Sequence, residues 1–325
     1  MPVPIRYKIP DRLNTALTIF CGSALSGLLV IWSRAPDRSG GWVLLNLLFF
    51  SLIFLTNYSL FHEAAHHKLH SNPAWNRALG ILSGVFFLCP FSIFYVTHWN
   101  HHLRNRTDLE MFDLYYKDAP KAKTFLKWYG YLLGFWFWII PFGAFLIAFG
   151  PPALRRKLMR KEVGFVNFDV ADVRSFDLKS ARFEVLLTVL YFWMLNRVFG
   201  MTSGAFFLSY LVGSIWWSTT QYVDHAFAER DVLTGAYNLK ASRWYSLINL
   251  HRECDLNHHL YPEVSWIYLP ALRCRVQLEV EVKFPRKFFF RQYCAQWLGP
   301  RTAQRINIVP LQEIVCDYND IIESG

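Results

Sequence analysis

The sequence predicts an all-α integral membrane protein: four transmembrane helices in two hairpins, with a cytoplasmic helical cap holding a histidine-rich di-metal site. Three observations carry that expectation. Charged residues make up only 18% of the chain, below the roughly 25% of a soluble domain. Six apolar stretches approach bilayer length, at 13–33, 42–60, 79–96, 128–149, 185–199 and 204–220. Ten of the 11 histidines fall into three tight clusters instead of scattering.

A spanning helix needs about 20 mostly apolar residues, and the stretches at 13–33 and 42–60 meet that as a first hairpin turning at 34–41. The stretch at 79–96 joins two histidine clusters, so a single full crossing would place them on opposite sides. Cys89-Pro90-Phe91-Ser92 near its middle fits a bent or interfacial segment. The stretch at 128–149 carries Pro141 and precedes Arg155-Arg156-Lys157 and Arg160-Lys161. That basic run belongs in the cytoplasm by the positive-inside rule, so this stretch is expected to dip in and return or to lie on the surface. A second hairpin, at 185–199 and 204–220, turns at 200–203, with Asn196 and Arg197 snorkelling at its outer end. Both termini and every histidine then face the cytoplasm. The expected divisions of this single domain are 13–60 for the first hairpin and 61–182 for a cytoplasmic or interfacial part. They continue with 183–220 for the second hairpin and 221–325 for the cap, in which Phe284–Arg291 mixes aromatics and cations as interfacial segments do.

The net charge of +10 suits the cytoplasmic face of a membrane protein, where it meets anionic lipid. No nucleic-acid module or basic repeat accompanies it, so no nucleic-acid partner is expected. Cys21, Cys89, Cys254, Cys274, Cys294 and Cys316 are far apart and form no CxxC pair, which argues for a reducing compartment and against a thiolate zinc site. The N-terminal residues have no apolar run followed by a small-residue cleavage site, so no cleaved signal peptide is expected.

Imidazole binds transition metals while neutral near pH 7. The clusters read His62-Glu63-Ala64-Ala65-His66-His67-Lys68-Leu69-His70, His98-Trp99-Asn100-His101-His102 and His251-Arg252-Glu253-Cys254-Asp255-Leu256-Asn257-His258-His259, with His225 alone. One ion takes about four to six ligands, so this many imidazoles imply two ions in one site. On a helix, residues three and four apart share a face. That relates His62 to His66 and His98 to His101 and His102, and it predicts a stripe of His251, Asp255, His258 and His259.

The chain here resembles the membrane fatty acid desaturase and hydroxylase superfamily, whose signature is three histidine boxes. The first two boxes are His62…His66-His67 and His98…His101-His102. Arg106-Thr107-Asp108-Leu109-Glu110-Met111-Phe112-Asp113 and His258-His259-Leu260-Tyr261-Pro262 resemble its flanking segments, and Gln221…His225 matches its extra ligand in spacing. The resemblance runs from about residue 45 to 275. It implies that His62, His66, His67, His98, His101, His102, His225, His258 and His259 hold two iron ions, with His70, Gln221 and Asn257 around them. The third box departs from the pattern, with Asp255 where His or Gln belongs. Asp255 then either binds the metal as a carboxylate or orients a neighbouring imidazole while His251 supplies the nitrogen.

The resemblance also implies dioxygen chemistry on a lipid or acyl chain, either free or bound to coenzyme A, a carrier protein or a lipid. Its outcome is desaturation or, from the same first step, hydroxylation, ketolation or alkene-forming decarboxylation. No cytochrome, iron–sulfur or GxGxxG segment is evident, so a separate electron donor, a ferredoxin or b-type cytochrome, is expected. Two other classes compete. His62-Glu63-Ala64-Ala65-His66 is also HExxH, the pattern of a zinc intramembrane protease with Glu63 as base, but the further imidazole clusters exceed its needs. A haem protein or metal transporter would use fewer ligands or place them within its spans.

Overall fold

The computed structural model describes residues 7–35, 39–158, 177–272, 286–306 and 308. Arg160, Lys161, Cys274, Phe284, Pro285 and Cys316 lie outside the described residues. The first hairpin forms as expected from α1 (Asp11–Arg34) and α2 (Gly40–Ala65). Asp11 and Arg34 match the helix dipole at the two ends of α1. Buried Asn14 donates from Nδ2 to the carbonyls of Lys68 and Leu69, tying α1 to the chain just beyond the first box.

Two apolar stretches break sharply. The first divides into α3 (Pro73–Phe87) and α4 (Phe91–Arg104), bent by 92°. Leu88 takes a left-handed conformation at the break and Pro90 follows. The new N-terminus is capped from outside, because Ser92 donates through both its backbone N and its Oγ to Glu184, each at 2.9 Å. The stretch at 128–149 is split between α5 (Lys121–Leu132) and α6 (Phe135–Phe149), again at 92°. Gly134, with φ +78°, forms that corner, where a Cβ would sit 2.9 Å from Ser214 Oγ and 3.0 Å from Ile215 N. The short α7 (Pro152–Leu158) follows.

The second hairpin is α8 (Leu178–Arg197) and α9 (Ser203–Gln221), each N-capped by a side chain, Asp177 and Thr202. Among the described residues only α1 and α2 are long and apolar enough to cross a membrane, and each bent pair qualifies only if its two helices count as one span. α8 and α9 fall short because α8 carries Lys179, Arg182, Glu184 and Arg197 and α9 is interrupted by serines and threonines. Their outer surface is still apolar: Leu186, Val189, Leu190, Trp193 and Phe207 are exposed, as are Phe20 and Leu44 on the first hairpin. Exposed apolar surface on this scale marks a membrane-associated protein. Inside, Phe54 packs rings with Phe50, Phe87, Phe137 and Tyr210, joining α2, α3, α6 and α9.

The described residues beyond 221 pack against the ends of α2, α4 and α9 with α10 (Arg243–Ile248), α11 (Asp255–Leu260) and α12 (Phe289–Gln296). Thr56 and Ser59 of α2 donate to the carbonyls of Ile248 and Asn249, which sets α10 against α2. Two short parallel strand pairs, Leu114–Tyr115 with Arg301–Thr302 and Leu239–Lys240 with Lys287–Phe288, fasten the C-terminal part.

Candidate metal centre

Eight histidines converge into two adjoining groups. In the first, His62, His66, His98, His102 and His258 each offer a nitrogen, all within 4.8 Å of one another. In the second, His101, His225 and His259 do the same. The rings of His102 and His259, one from each group, are 4.4 Å apart, centre to centre. Helix geometry explains the division. His62 and His66 share a face of α2 and its C-cap, and His98 and His102 share a face of α4. Consecutive residues lie about 100° apart around a helix, so His101 and His259 turn from their neighbours His102 and His258 toward the second group.

The hydrogen bonds leave lone pairs facing inward. His101 Nδ1 is 3.1 Å from Glu110 Oε2 and His225 Nδ1 is 3.0 Å from the Gly235 carbonyl. Each Nδ1 therefore carries its hydrogen, and each Nε2 presents a lone pair. His66 Nε2 and His98 Nε2 are only 2.6 Å apart, and His102 Nε2 and His258 Nε2 are 3.2 Å apart. Burial draws the His258 imidazole down to about 4 and lowers His259 as well, although Asp255 opposes both shifts. Imidazole nitrogens crowded this closely in a buried cluster are compatible with a metal site. At His225 burial works in the same direction, but the Asp255 carboxylate outweighs it and raises the pKa.

Asp255 belongs beside the second group. Its Oδ2 is 3.1 Å from His225 Nε2 and 3.6 Å from His259 Nε2. Burial would raise its pKa, but His225, at hydrogen-bond distance, holds the carboxyl well below the usual range. A carboxylate oxygen facing an imidazole lone pair requires a cation, which a proton or a metal ion supplies.

Three expected neighbours stand elsewhere. α2 ends at Ala65, and His67 turns away with φ 55°, its ring packed 5.5 Å from that of Tyr95. The stripe through His251 does not form, because α11 begins only at Asp255 and Leu250 and His251 both have positive φ. His251 instead stacks on Trp266, 3.4 Å from Glu253 Oε1. His70 accepts from Asn72 N and lies 4.0 Å from Asp11, apart from both groups. Asn257 secures α11 by accepting from Asn238 Nδ2 and donating to the Leu269 carbonyl. Gln221 Oε1 accepts from Arg252.

Glu63, the base of the HExxH reading, is engaged instead as acceptor for Trp266 N and Ser265 Oγ. Spacing alone did not reveal the buried supports. Arg106 is paired with Asp113 at 2.6 Å, and Tyr222 donates to Asp113 and to the Glu110 carbonyl. This network ties the segment after His101 to the chain on both sides of His225, where Phe227 N donates to Asp113 and the Ala228 carbonyl accepts from Arg106. A hydrophobic sequence with so many polar residues outside its boxes was the available signal.

A cavity of about 240 Å³ opens beside the groups. His98, His101, Glu110, Gln221 and His225 line it at the metal-ligand end, and Cys89, Ile93, Ala144 and Ile147 line the apolar part between α4 and α6.

The family model for fatty acid desaturases matches residues 40–283, well over half of the chain. Comparison with curated proteins finds no match. The family indicates an oxidoreductase acting on lipids, one typically dependent on iron, and the histidine cluster is compatible with such a metal site. A buried two-part cluster of imidazoles beside an apolar cavity, within a matching stretch that holds all three boxes, leads to one assignment: the chain belongs to the fatty acid desaturase family.

Proposed function

We propose that the protein is a membrane di-iron oxidase that uses dioxygen and two external electrons to desaturate a fatty acyl chain. The observation that carries this reading is the pair of adjoining imidazole groups at the mouth of an apolar cavity. His62, His66, His98, His102 and His258 hold one iron; His101, His225, His259 and the Asp255 carboxylate hold the other. Two irons, reduced by a ferredoxin or b-type cytochrome, supply dioxygen activation at this place. The balanced reaction takes two hydrogens from adjacent carbons and joins them with dioxygen, two electrons and two protons to give a double bond and two waters.

The protein's own part is positional. Glu110 and the Gly235 carbonyl fix the tautomers of His101 and His225. Phe94, stacked on His98 at 5.4 Å, and Trp217 wall the cavity, excluding water from the reacting carbon. In the membrane, this reading takes the two hairpins as four crossings and puts both termini, the imidazoles and the electron donor on the cytoplasmic side.

The test is metal content per chain on protein purified from iron-replete cells, followed by turnover with acyl chains, dioxygen and a ferredoxin. About two irons and a product lighter by two hydrogens are expected. One zinc without iron would overturn the reading, and an oxygenated product would replace desaturation with hydroxylation.

A further inference from the structure

We infer that Trp99 is the residue through which electrons enter the metal centre, and that a reduced, acidic ferredoxin delivers them by docking over its half-buried indole. This rests on the di-iron oxidase reading and adds to it the point of entry.

An external donor has little direct access to the imidazoles. His66, His98, His102, His225, His258 and His259 are each no more than 7% exposed. Of the other two, His101 opens into the apolar cavity and His62 lines a small void of about 20 Å³. Among the described residues, Tyr58, Phe94, Trp99 and Tyr222 lay rings against the two groups from outside. Tyr58 and Tyr222 are themselves buried, and Phe94 lines the cavity. Trp99 is half-buried and is not among the residues that line the cavity.

Its placement joins the outside to two ligands of one group. The indole lies 5.1 Å from the His66 ring and 5.8 Å from that of His102, centre to centre. Its Nε1 donates to the Ala65 carbonyl at 3.0 Å, and that carbonyl carbon is bonded to the backbone nitrogen of His66. The hydrogen bond fixes the ring, and the ring spans the gap between the surface and the first group. Electron transfer weakens steeply across empty space, so a continuous path of packed rings is what a donor outside the protein needs.

Charge at this corner suits an acidic donor. Just beyond α2 the chain carries Lys68, and Asn14 ties α1 to it through the Lys68 carbonyl. Lys8 and Arg12, around the start of α1, are exposed. Asp11, between them, accepts from Ser71 N. Such a cationic rim speeds and orients the approach of an acidic protein.

Each event moves one electron: the ferredoxin's iron–sulfur cluster gives it up, and a ferric ion in the first group becomes ferrous. The indole gains and loses nothing overall and keeps its N–H, so no proton moves at Trp99. Two such events supply the two electrons that the reaction consumes.

The experiment mixes the oxidised, iron-loaded full-length protein in lipid nanodiscs with reduced ferredoxin in the absence of dioxygen and follows oxidation of the ferredoxin by stopped-flow absorbance. Raising the ferredoxin concentration to a plateau separates docking from transfer. Trp99→Leu is expected to lose most of the plateau rate while keeping the wild-type iron content, and Trp99→Phe, which keeps a ring against both imidazoles, to restore most of it. Trp99→Met, a flexible side chain without a ring, serves where the leucine variant does not fold. A wild-type plateau in an iron-replete leucine or methionine variant overturns the inference, and so does a phenylalanine variant as slow as either. A second measurement needs no electron transfer: hydroxyl-radical footprinting of the same protein with oxidised ferredoxin. Trp99 should be protected, less so as salt is raised; a Trp99 as reactive with ferredoxin as without it overturns the docking site. If the wild type takes electrons from neither ferredoxin nor dithionite, the oxidase reading fails and the entry point falls with it.

Discussion

At the scale of single residues, the centre depends on which atom each side chain aims inward. His101 and His259 stand in the second group, each next to a histidine of the first, so on the di-iron reading losing either would remove a ligand and perturb the neighbouring ion. His101→Ala or His259→Ala is expected to abolish turnover and to remove bound iron, read by metal analysis of the purified variant; wild-type-like activity in either would sink the di-iron assignment. Asp255 allows a finer test. Asp255→Asn keeps the shape but removes the charge beside His225 and His259, and about one of the two irons should be lost. Unchanged iron content and kinetics would show that the carboxylate is not a ligand. Spacing made His62, His66, His98, His101, His102, His258 and His259 legible because i, i+3 and i+4 positions share a helix face. The same logic misplaced His251, and the resemblance alone brought in His67; both lie outside the helices that carry their boxes, in left-handed backbone that spacing does not reveal.

At the scale of elements, the two 92° breaks shape the cavity by bringing α4 and α6 alongside each other. Pro90 and Pro141 were visible as interruptions, yet only the first coincides with a break. Pro141 lies inside α6, and the second corner is made by Gly134. Gly134→Ala would force a Cβ into Ser214 and Ile215 at positive φ, at a cost of about 1–2 kcal/mol. A lowered melting temperature and reduced binding of long chains are expected; an unaltered melting curve would show that the corner tolerates a side chain. α8 and α9 illustrate the opposite outcome. Their hairpin was expected from apolar runs, and it forms, but Glu184 and Arg182 face inward to brace α4 and α6. Their polarity serves packing, which a hydropathy profile counts against a span.

At the scale of the molecule, the histidine groups join elements that are distant in sequence. The first group alone draws on α2, α4 and α11, so ions held as proposed would add stability by linkage. Stripping them with a chelator should lower the melting temperature on the order of 5 °C or more, with recovery on adding ferrous iron; no change would mean that the groups do not hold metal. Orientation is testable through Cys294, exposed on α12, whereas Cys21, Cys89 and Cys254 are buried. With Cys294 as the sole cysteine, a membrane-impermeant thiol reagent should label inside-out vesicles and spare intact cells. Labelling of intact cells would reverse the proposed cytoplasmic placement.

Much of this protein was determined by its sequence alone: a helical, membrane-associated chain, the histidine boxes and the family they signal. Those properties follow from local periodicity and composition, which need no knowledge of distant contacts. Only the tertiary structure decided how eight imidazoles divide into two groups, that Asp255 lies beside the second, and that His67, His70 and His251 stand apart. It also decided that an apolar cavity lined in part by Ile93, Ala144 and Ile147 lies beside the two groups. Each of those outcomes depends on where a helix stops, where the chain turns and which buried ion pair holds it there, and such features are set by long-range packing that no spacing of residues encodes.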